Sequence, residues 1–139
     1  MKNNKKIRKY PSVVAIDFDE TIGLFNPKEK KTKGYRVKEV TNVPNPRMVE
    51  LISKLRSLGI RVVIYTSRWW GDYNSLIEWL EKYNIVVDDV LCGRFKADIY
   101  ICDRTVFAHD KDMEDKVFNL LSKGPCWGQF YEKINEKHS

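Results

Sequence analysis

The stretch Val13-Val14-Ala15-Ile16-Asp17-Phe18-Asp19-Glu20-Thr21 decides how this chain reads. Its β-branched and apolar start predicts a short strand buried on both faces. The run then ends abruptly in two carboxylates, Asp17 and Asp19. In open α/β sheets ligands sit beyond the carboxyl ends of the strands, so these two side chains are expected in one crowded pocket. Two like charges there repel unless a cation joins them. Hard oxygen donors suit Mg²⁺, which takes carboxylates, waters and phosphate oxygens.

Two further segments repeat the pattern of an apolar run with a polar end. Ile60 to Tyr65 leads into Thr66-Ser67-Arg68, and Ala97 to Cys102 leads into Asp103-Arg104. Helical periods lie around them. Asn45-Pro46 reads as an N-cap with proline at the first helical position. Met48, Leu51, Ile52, Leu55 and Leu58 follow at spacings of three and four, and Gly59 closes that helix. A second helix is predicted to start near Asp72, with Leu76, Ile77, Leu80 and Tyr83 on one face. A third covers about 112–123, with Met113, Val117, Leu120 and Leu121 inward and Gly124-Pro125 as its stop. Alternating strands and helices imply βαβ units and a parallel sheet with right-handed crossovers. The expected fold class is α/β, a single doubly wound, Rossmann-like core over 11–139 preceded by a basic segment, 1–10. The connection from Lys28 to Asn42 has no clear helical period; a short β-hairpin or flap around Gly34 suits it.

The chain has 139 residues, 42% of them hydrophobic, which is enough for one domain with a real core. No apolar run approaches the roughly 20 residues that span a membrane, and the basic N-terminus lacks the apolar segment of a signal peptide. The three cysteines, Cys92, Cys102 and Cys126, show no close paired spacing. That argues against a disulfide framework or a zinc site and suits a reducing cytoplasm. With 25 Lys and Arg against 19 Asp and Glu the net charge is +6, favouring anionic partners in general.

Asp-x-Asp-x-Thr alone is a weak motif. Together with the strand ending in Thr66 and with Asp103 at the third expected strand end, it resembles the haloacid dehalogenase-like (HAD) superfamily over roughly residues 12–108. More closely, Tyr65-Thr66-Ser67-Arg68, Gly93-Arg94 and Ala97 to Arg104 look like the small capless phosphatases of phage and of polysaccharide biosynthesis. Phosphoryl transfer is mostly positioning and charge neutralisation, and a carboxylate nucleophile splits hydrolysis into two easier steps. The resemblance makes Asp17 that nucleophile and a Mg²⁺ ligand. It makes Asp19 the general acid and base, with its main-chain carbonyl on the metal, and Asp103 the third ligand. Thr66 and the amide after it are expected to hold a phosphate oxygen, with Thr21, Ser67 and Arg68 as further substrate contacts.

Two positions depart from the family. Its usual lysine falls on Arg94, nine residues before Asp103, and Lys96 is the other candidate; register favours Arg94. Arginine keeps the charge but is not equivalent to lysine. Cys102 stands where many relatives have the first of two adjacent aspartates.

Trp69 and Trp70, following the phosphate turn, read as core fillers or as a stacking surface for a ring. His109 reads as a loop residue. Cys126 and Trp127 read as packing the tail onto the body. The lysines at 2–9 and 28–38 read as solvated surface or as a phosphate-backbone footprint.

The resulting expectation is a Mg²⁺-dependent phosphomonoester hydrolase acting through an aspartyl-phosphate, on a HAD-like core without a large cap. An open site suits a phosphorylated sugar, a polysaccharide precursor or another chain end, or a lid from a partner subunit. A nucleic-acid 3′-phosphatase is the alternative enzyme. A non-catalytic phosphate- or nucleic-acid-binding module is the alternative from another class.

Overall fold

Apolar runs alternating with helical periods give an α/β chain in the computed structural model, which describes residues 12–28 and 40–124. In chain order the elements are β1 (Val13–Ile16), β2 (Gly23–Leu24), β3 (Val43–Pro44), α1 (Pro46–Ser57), β4 (Arg61–Tyr65), α2 (Tyr73–Lys82), β5 (Asp89–Leu91) and α3 (Met113–Ser122). Three strands form a parallel sheet in the order β1-β4-β5, with Val13 to Ile16 opposite Arg61 to Ile64, and Val63 to Tyr65 opposite Asp89 to Leu91. β2 and β3 pair antiparallel as a two-stranded ladder, Gly23 opposite Pro44 and Leu24 opposite Val43. This ladder lies at the ends of the connection where a hairpin was expected; Gly34 itself falls outside the described residues.

The strand buried on both faces is β4, where Val62, Val63 and Ile64 are buried in succession. β1 departs from the expectation: Val13 and Ala15 are exposed and Ile16 alone is buried. The reason is position, since β4 holds the centre of the sheet and β1 an edge. The third strand is also a correction. It comes from Asp89–Leu91, and Ala97 to Cys102 forms no strand but an exposed coil. Within that coil the Tyr100 hydroxyl accepts from the Ala97 N–H at 3.0 Å and donates to the Phe95 carbonyl, so local bonds replace a ladder.

Proline at the first position starts α1 behind Asn45, and Met48, Leu51, Ile52 and Leu55 are buried as the period requires. Leu58, expected on that face, is exposed, because it is the residue past the last turn; Gly59 at φ +77° ends the helix. The Asn45 side chain makes no capping bond but donates to the Thr21 carbonyl at 2.9 Å, tying the helix to the turn after β1. A short 3₁₀ turn, Trp70–Asp72, precedes α2, whose buried residues are Leu76, Leu80 and Trp79. Met113 and Val117 bury α3, while Leu120 and Leu121 are half-buried. The core joins Ile16, Phe18 and Ile22 to Leu51, Leu55, Ile64, Leu76, Trp79 and Val90. No helix among the described residues is long and apolar enough to cross a membrane. Cys126, Trp127 and the lysines at 2–9 and 30–38 lie outside the described residues.

Candidate functional site

Alternation along the chain after β1 buries Phe18 completely and leaves Asp17 and Asp19 half-buried on either side of it. The Phe18 carbonyl accepts from the N–H groups of Thr21, Ile22 and Gly23 at 3.2, 3.0 and 3.0 Å, which closes a tight turn directly behind the two carboxylates. Phe18 also meets the Trp79 ring edge-on at 5.0 Å, so the apolar anchor of the turn is fixed to α2. Residue 23 must be glycine here, since a Cβ would stand 2.8 Å from the Phe18 ring and 2.9 Å from the Asn42 Cβ. Glu20, at φ +58°, takes the strained position of the turn.

The Asp17 carboxylate accepts one hydrogen bond among the described residues, from the Phe18 N–H at 2.8 Å. Burial pushes its carboxyl above the ordinary range; the Phe18 bond and the nearby Arg94 charge pull it back, and the Asp19 charge adds to the rise. Asp19 is bound differently. Arg68 grips it bidentately, Nε to Oδ2 at 2.9 Å and Nη2 to Oδ1 at 2.8 Å. Burial opposes the Arg68 charge, but the hydrogen bond and charge of Asp19 leave the guanidinium more firmly protonated than usual.

Asn42 was not anticipated from sequence. Its Nδ2 donates to Asp19 Oδ1 at 3.2 Å and to the Gly23 carbonyl at 2.8 Å. Its Oδ1 accepts from Arg68 at 3.3 Å, and its carbonyl accepts from the Trp79 indole at 2.9 Å. A lone Asn at the end of a lysine-rich connection carries no signal of this. Its role depends on the β2–β3 ladder bringing residues 19 and 42 together.

Thr66, at the end of β4, is 0% exposed. Its hydroxyl accepts from the Arg68 N–H at 3.1 Å, and its carbonyl accepts from the Arg94 N–H at 2.9 Å. The Gly93 N–H donates to the Arg68 carbonyl at 2.7 Å, so the chain after β5 is stitched to the chain after β4. The Arg94 guanidinium lies 4.0 Å from the Tyr100 ring centre and 5.3 Å from that of Tyr65. Lys96 is exposed and makes no hydrogen bond or ion pair among the described residues. Thr21 and Ser67 are half-buried in the two turns. Asp17, Asp19, Thr66, Arg68 and Arg94 are thus linked through bonds or charge.

Asp103 stands apart from that set. It is exposed in a turn after the coil, its Oδ1 accepting from the Cys102 thiol at 3.8 Å. His109 donates from Nε2 to the Glu20 carbonyl at 2.7 Å, fixing its tautomer and tying the 105–110 loop to the β1 turn. Among the described residues no three His, Cys, Asp or Glu side chains gather as a cation site. The donor chemistry at Asp17 nevertheless fits Mg²⁺, because one carboxylate oxygen accepts no bond among the described residues and this ion keeps most of its shell as water and phosphate.

No family model matches the chain, and no curated protein matches it. Among solved structures it is similar to the crystal structure of a target protein from Vibrio cholerae, with a TM-score of 0.57 and 22% identity over 81% of this chain and 98% of the other. It is also similar to a chain of the Pnkp1/Rnl/Hen1 complex, at TM-score 0.50 and 18% identity, covering 78% of this chain and 33% of that one. A chain of the Pnkp1/Rnl/Hen1 RNA repair complex gives 0.50 and 19%, covering 84% and 32%. At such identities the likeness is one of fold, and this chain spans a minor part of the complex chains.

Proposed function

We propose that this chain is a HAD-like phosphomonoester hydrolase in which Asp17 is the nucleophile. The observation that carries the reading is the Asp17 carboxylate at the end of β1, with one oxygen that accepts no bond among the described residues, beside the Arg94 charge and the Arg68–Asp19 pair. One Asp17 oxygen attacks phosphorus, the bond from phosphorus to the ester oxygen breaks, and Asp19 gives that oxygen a proton. Asp19 then takes a proton from water, which attacks the aspartyl-phosphate and releases phosphate and free Asp17. Arg68 is shared in this scheme: an arriving phosphate dianion competes with Asp19 for the guanidinium and frees the carboxylate to exchange a proton. Arg94 steadies negative charge on the transferred group. Thr66 holds the turn and keeps its own O–H to donate to a phosphate oxygen, with Ser67 beside it.

Asp17 and the Asp19 carbonyl are the groups that would hold Mg²⁺, with Asp103, which stands apart in its exposed turn, as the proposed third ligand; the ion would supply charge neutralisation and Lewis acidity to the phosphate when bound. Of the two substrate classes, a phosphorylated sugar and a nucleic-acid end, the second is favoured by the net charge of +6 and by the likeness to a chain of an RNA repair complex.

The test is hydrolysis of a generic aryl phosphate with Mg²⁺, with EDTA and with the Asp17→Asn variant, followed by a 3′-phosphorylated oligonucleotide against sugar phosphates. Metal-dependent turnover that disappears in Asp17→Asn supports the reading. Turnover that survives it removes the nucleophile. Asp103→Asn is expected to raise the Mg²⁺ concentration needed for half activity; an unchanged titration assigns the third ligand elsewhere. A non-catalytic phosphate-binding module is the second reading, favoured by the firm Arg68 grip on Asp19 and the exposed turn around Asp103. Salt-dependent nucleic-acid binding with no turnover of any substrate would select it.

A further inference from the structure

We infer that Trp70 is a stacking subsite for the nucleobase of a single-stranded nucleic acid whose terminal phosphate lies at Asp17. The inference rests on the reading above for the position of the phosphate, and it narrows the substrate to a nucleic-acid end. Trp69 and Trp70 are 61% and 55% exposed, whereas Trp79 is buried in the core, so the two are not serving as interior packing. Trp70 is held nonetheless. It opens the 3₁₀ turn closed by the Asp72 N–H on the Trp69 carbonyl at 2.9 Å, and its ring leans on Tyr73 at 5.9 Å. Its indole nitrogen would stand 3.4 Å from a Cβ at position 93, so the glycine there, at φ +81°, leaves room for the ring to approach the backbone.

That backing sets the ring on the backbone that leads to the proposed phosphate site. Gly93 is bonded to the Arg68 carbonyl, and its neighbour Arg94 to the Thr66 carbonyl, so Trp70 rests on the junction that sets both arginines. A flat, exposed indole, anchored on the backbone junction that carries Arg68 and Arg94, matches a ligand with an aromatic face and a repeating anion. Single-stranded nucleic acid has both: bases stack on aromatic rings and the backbone follows positive charge. An isolated sugar phosphate offers one anion and no aromatic face.

The test measures binding to the Asp17→Asn chain, which removes turnover, by fluorescence anisotropy of a labelled single-stranded hexanucleotide bearing a 3′-phosphate. Adding Trp70→Ala is expected to weaken binding about tenfold, as loss of one base–aromatic stack does, while Trp70→Phe keeps most of it. An oligonucleotide abasic at its terminal position is expected to lose a similar factor against Trp70 and nothing more against Trp70→Ala. Equal binding by Trp70 and Trp70→Ala chains overturns the inference. So does an equal loss for the full and abasic strands, failure of Trp70→Phe to recover affinity, no measurable binding, or a sugar phosphate that competes as well as the hexanucleotide. A wild-type chain that binds by this pattern yet hydrolyses nothing leaves the stacking subsite standing and removes the hydrolase. Hydrolysis indifferent to Trp70 does the reverse.

Discussion

The strand Arg61–Tyr65 lies at the centre of the sheet with three successive residues buried, whereas Ala97 to Cys102, equally given to β-branched and aromatic side chains, runs exposed along the surface. Ile64 is completely buried; Ile99 and Ile101 are 77% and 96% exposed. The central strand has a ladder on each edge, and the Asp88 carboxylate accepts from its Val62 N–H at 2.8 Å. In the coil, a tyrosine hydroxyl takes the place of a neighbouring strand. A β-compatible sequence becomes a strand where an edge and a covering face are supplied to it, because packing against neighbours is what β-propensity measures.

The difference has a chemical side, and the largest expected effect tests it. The end of β1 places Asp17 among the charges of Arg94 and Asp19, the latter held by Arg68, while Asp103 ends the coil in an exposed turn. Asp17→Asn is expected to abolish turnover, since an amide cannot form the acyl phosphate; steady-state hydrolysis with active enzyme as reference reads it. Full activity in that variant would move the chemistry away from the sheet. Next in size is packing. Ile64→Ala is expected to cost about 2–5 kcal/mol, as deletion of a buried isoleucine does. Ile101→Ala should stay within about 0.5 kcal/mol. Denaturant unfolding of the pair decides it: an equally large loss at Ile101 would mean that the second segment is packed in solution and the contrast is void.

The same contrast explains what the sequence disclosed. β1, β4 and the three helices were legible because each pairs a strong period with a clear stop, such as Asn45-Pro46 and Gly59 around α1. The third strand was misplaced because Val90 and Leu91 follow two aspartates that mask a short run, while Ala97 to Cys102 displays a better pattern and lacks a partner. At the site, Asp17 and Asp19 announced themselves as paired charges after an apolar run. The Arg68–Asp19 grip did not, since residues 49 apart in sequence meet only through the βαβ crossover. Asn42 had no signal at all, because its four bonds exist only once β2 and β3 have paired.

Asn42 therefore offers a smaller and sharper probe. Asn42→Ala deletes the side-chain bonds to Asp19, Gly23 and Arg68, and the expected loss is about 1 kcal/mol, because part of that bonding can be resupplied by water. Denaturant midpoints check the stability. The rate of hydrolysis should fall as well, since Asp19 keeps Arg68 but loses its second donor. A stability loss with an unchanged rate would make Asn42 a brace for the hairpin alone.

The smallest effect sets the two regions against each other through proton linkage. Burial raises the Asp17 carboxyl above its unfolded value near 3.8, so the folded chain holds that proton more tightly than the unfolded one. Stability then falls as pH rises from the ordinary carboxylate range through the raised value, and the penalty persists at neutral pH. Asp17→Asn is expected to unfold at a higher temperature than the parent at pH 7, with the gap closing below pH 3.8. Asp88, beside β4, behaves oppositely: the Val62 N–H and then Arg56 lower its carboxyl below 3.8. Its contribution is present above that pH and disappears as acid protonates it, so Asp88→Asn should cost stability at pH 7 and little in strong acid. Melting temperatures across pH for the two variants should therefore diverge with opposite sign at neutrality. Curves of the same sign would mean that the β1 end is not desolvated, and with it would go the reason for treating Asp17 as a strained, available carboxylate rather than as a second structural anchor like Asp88.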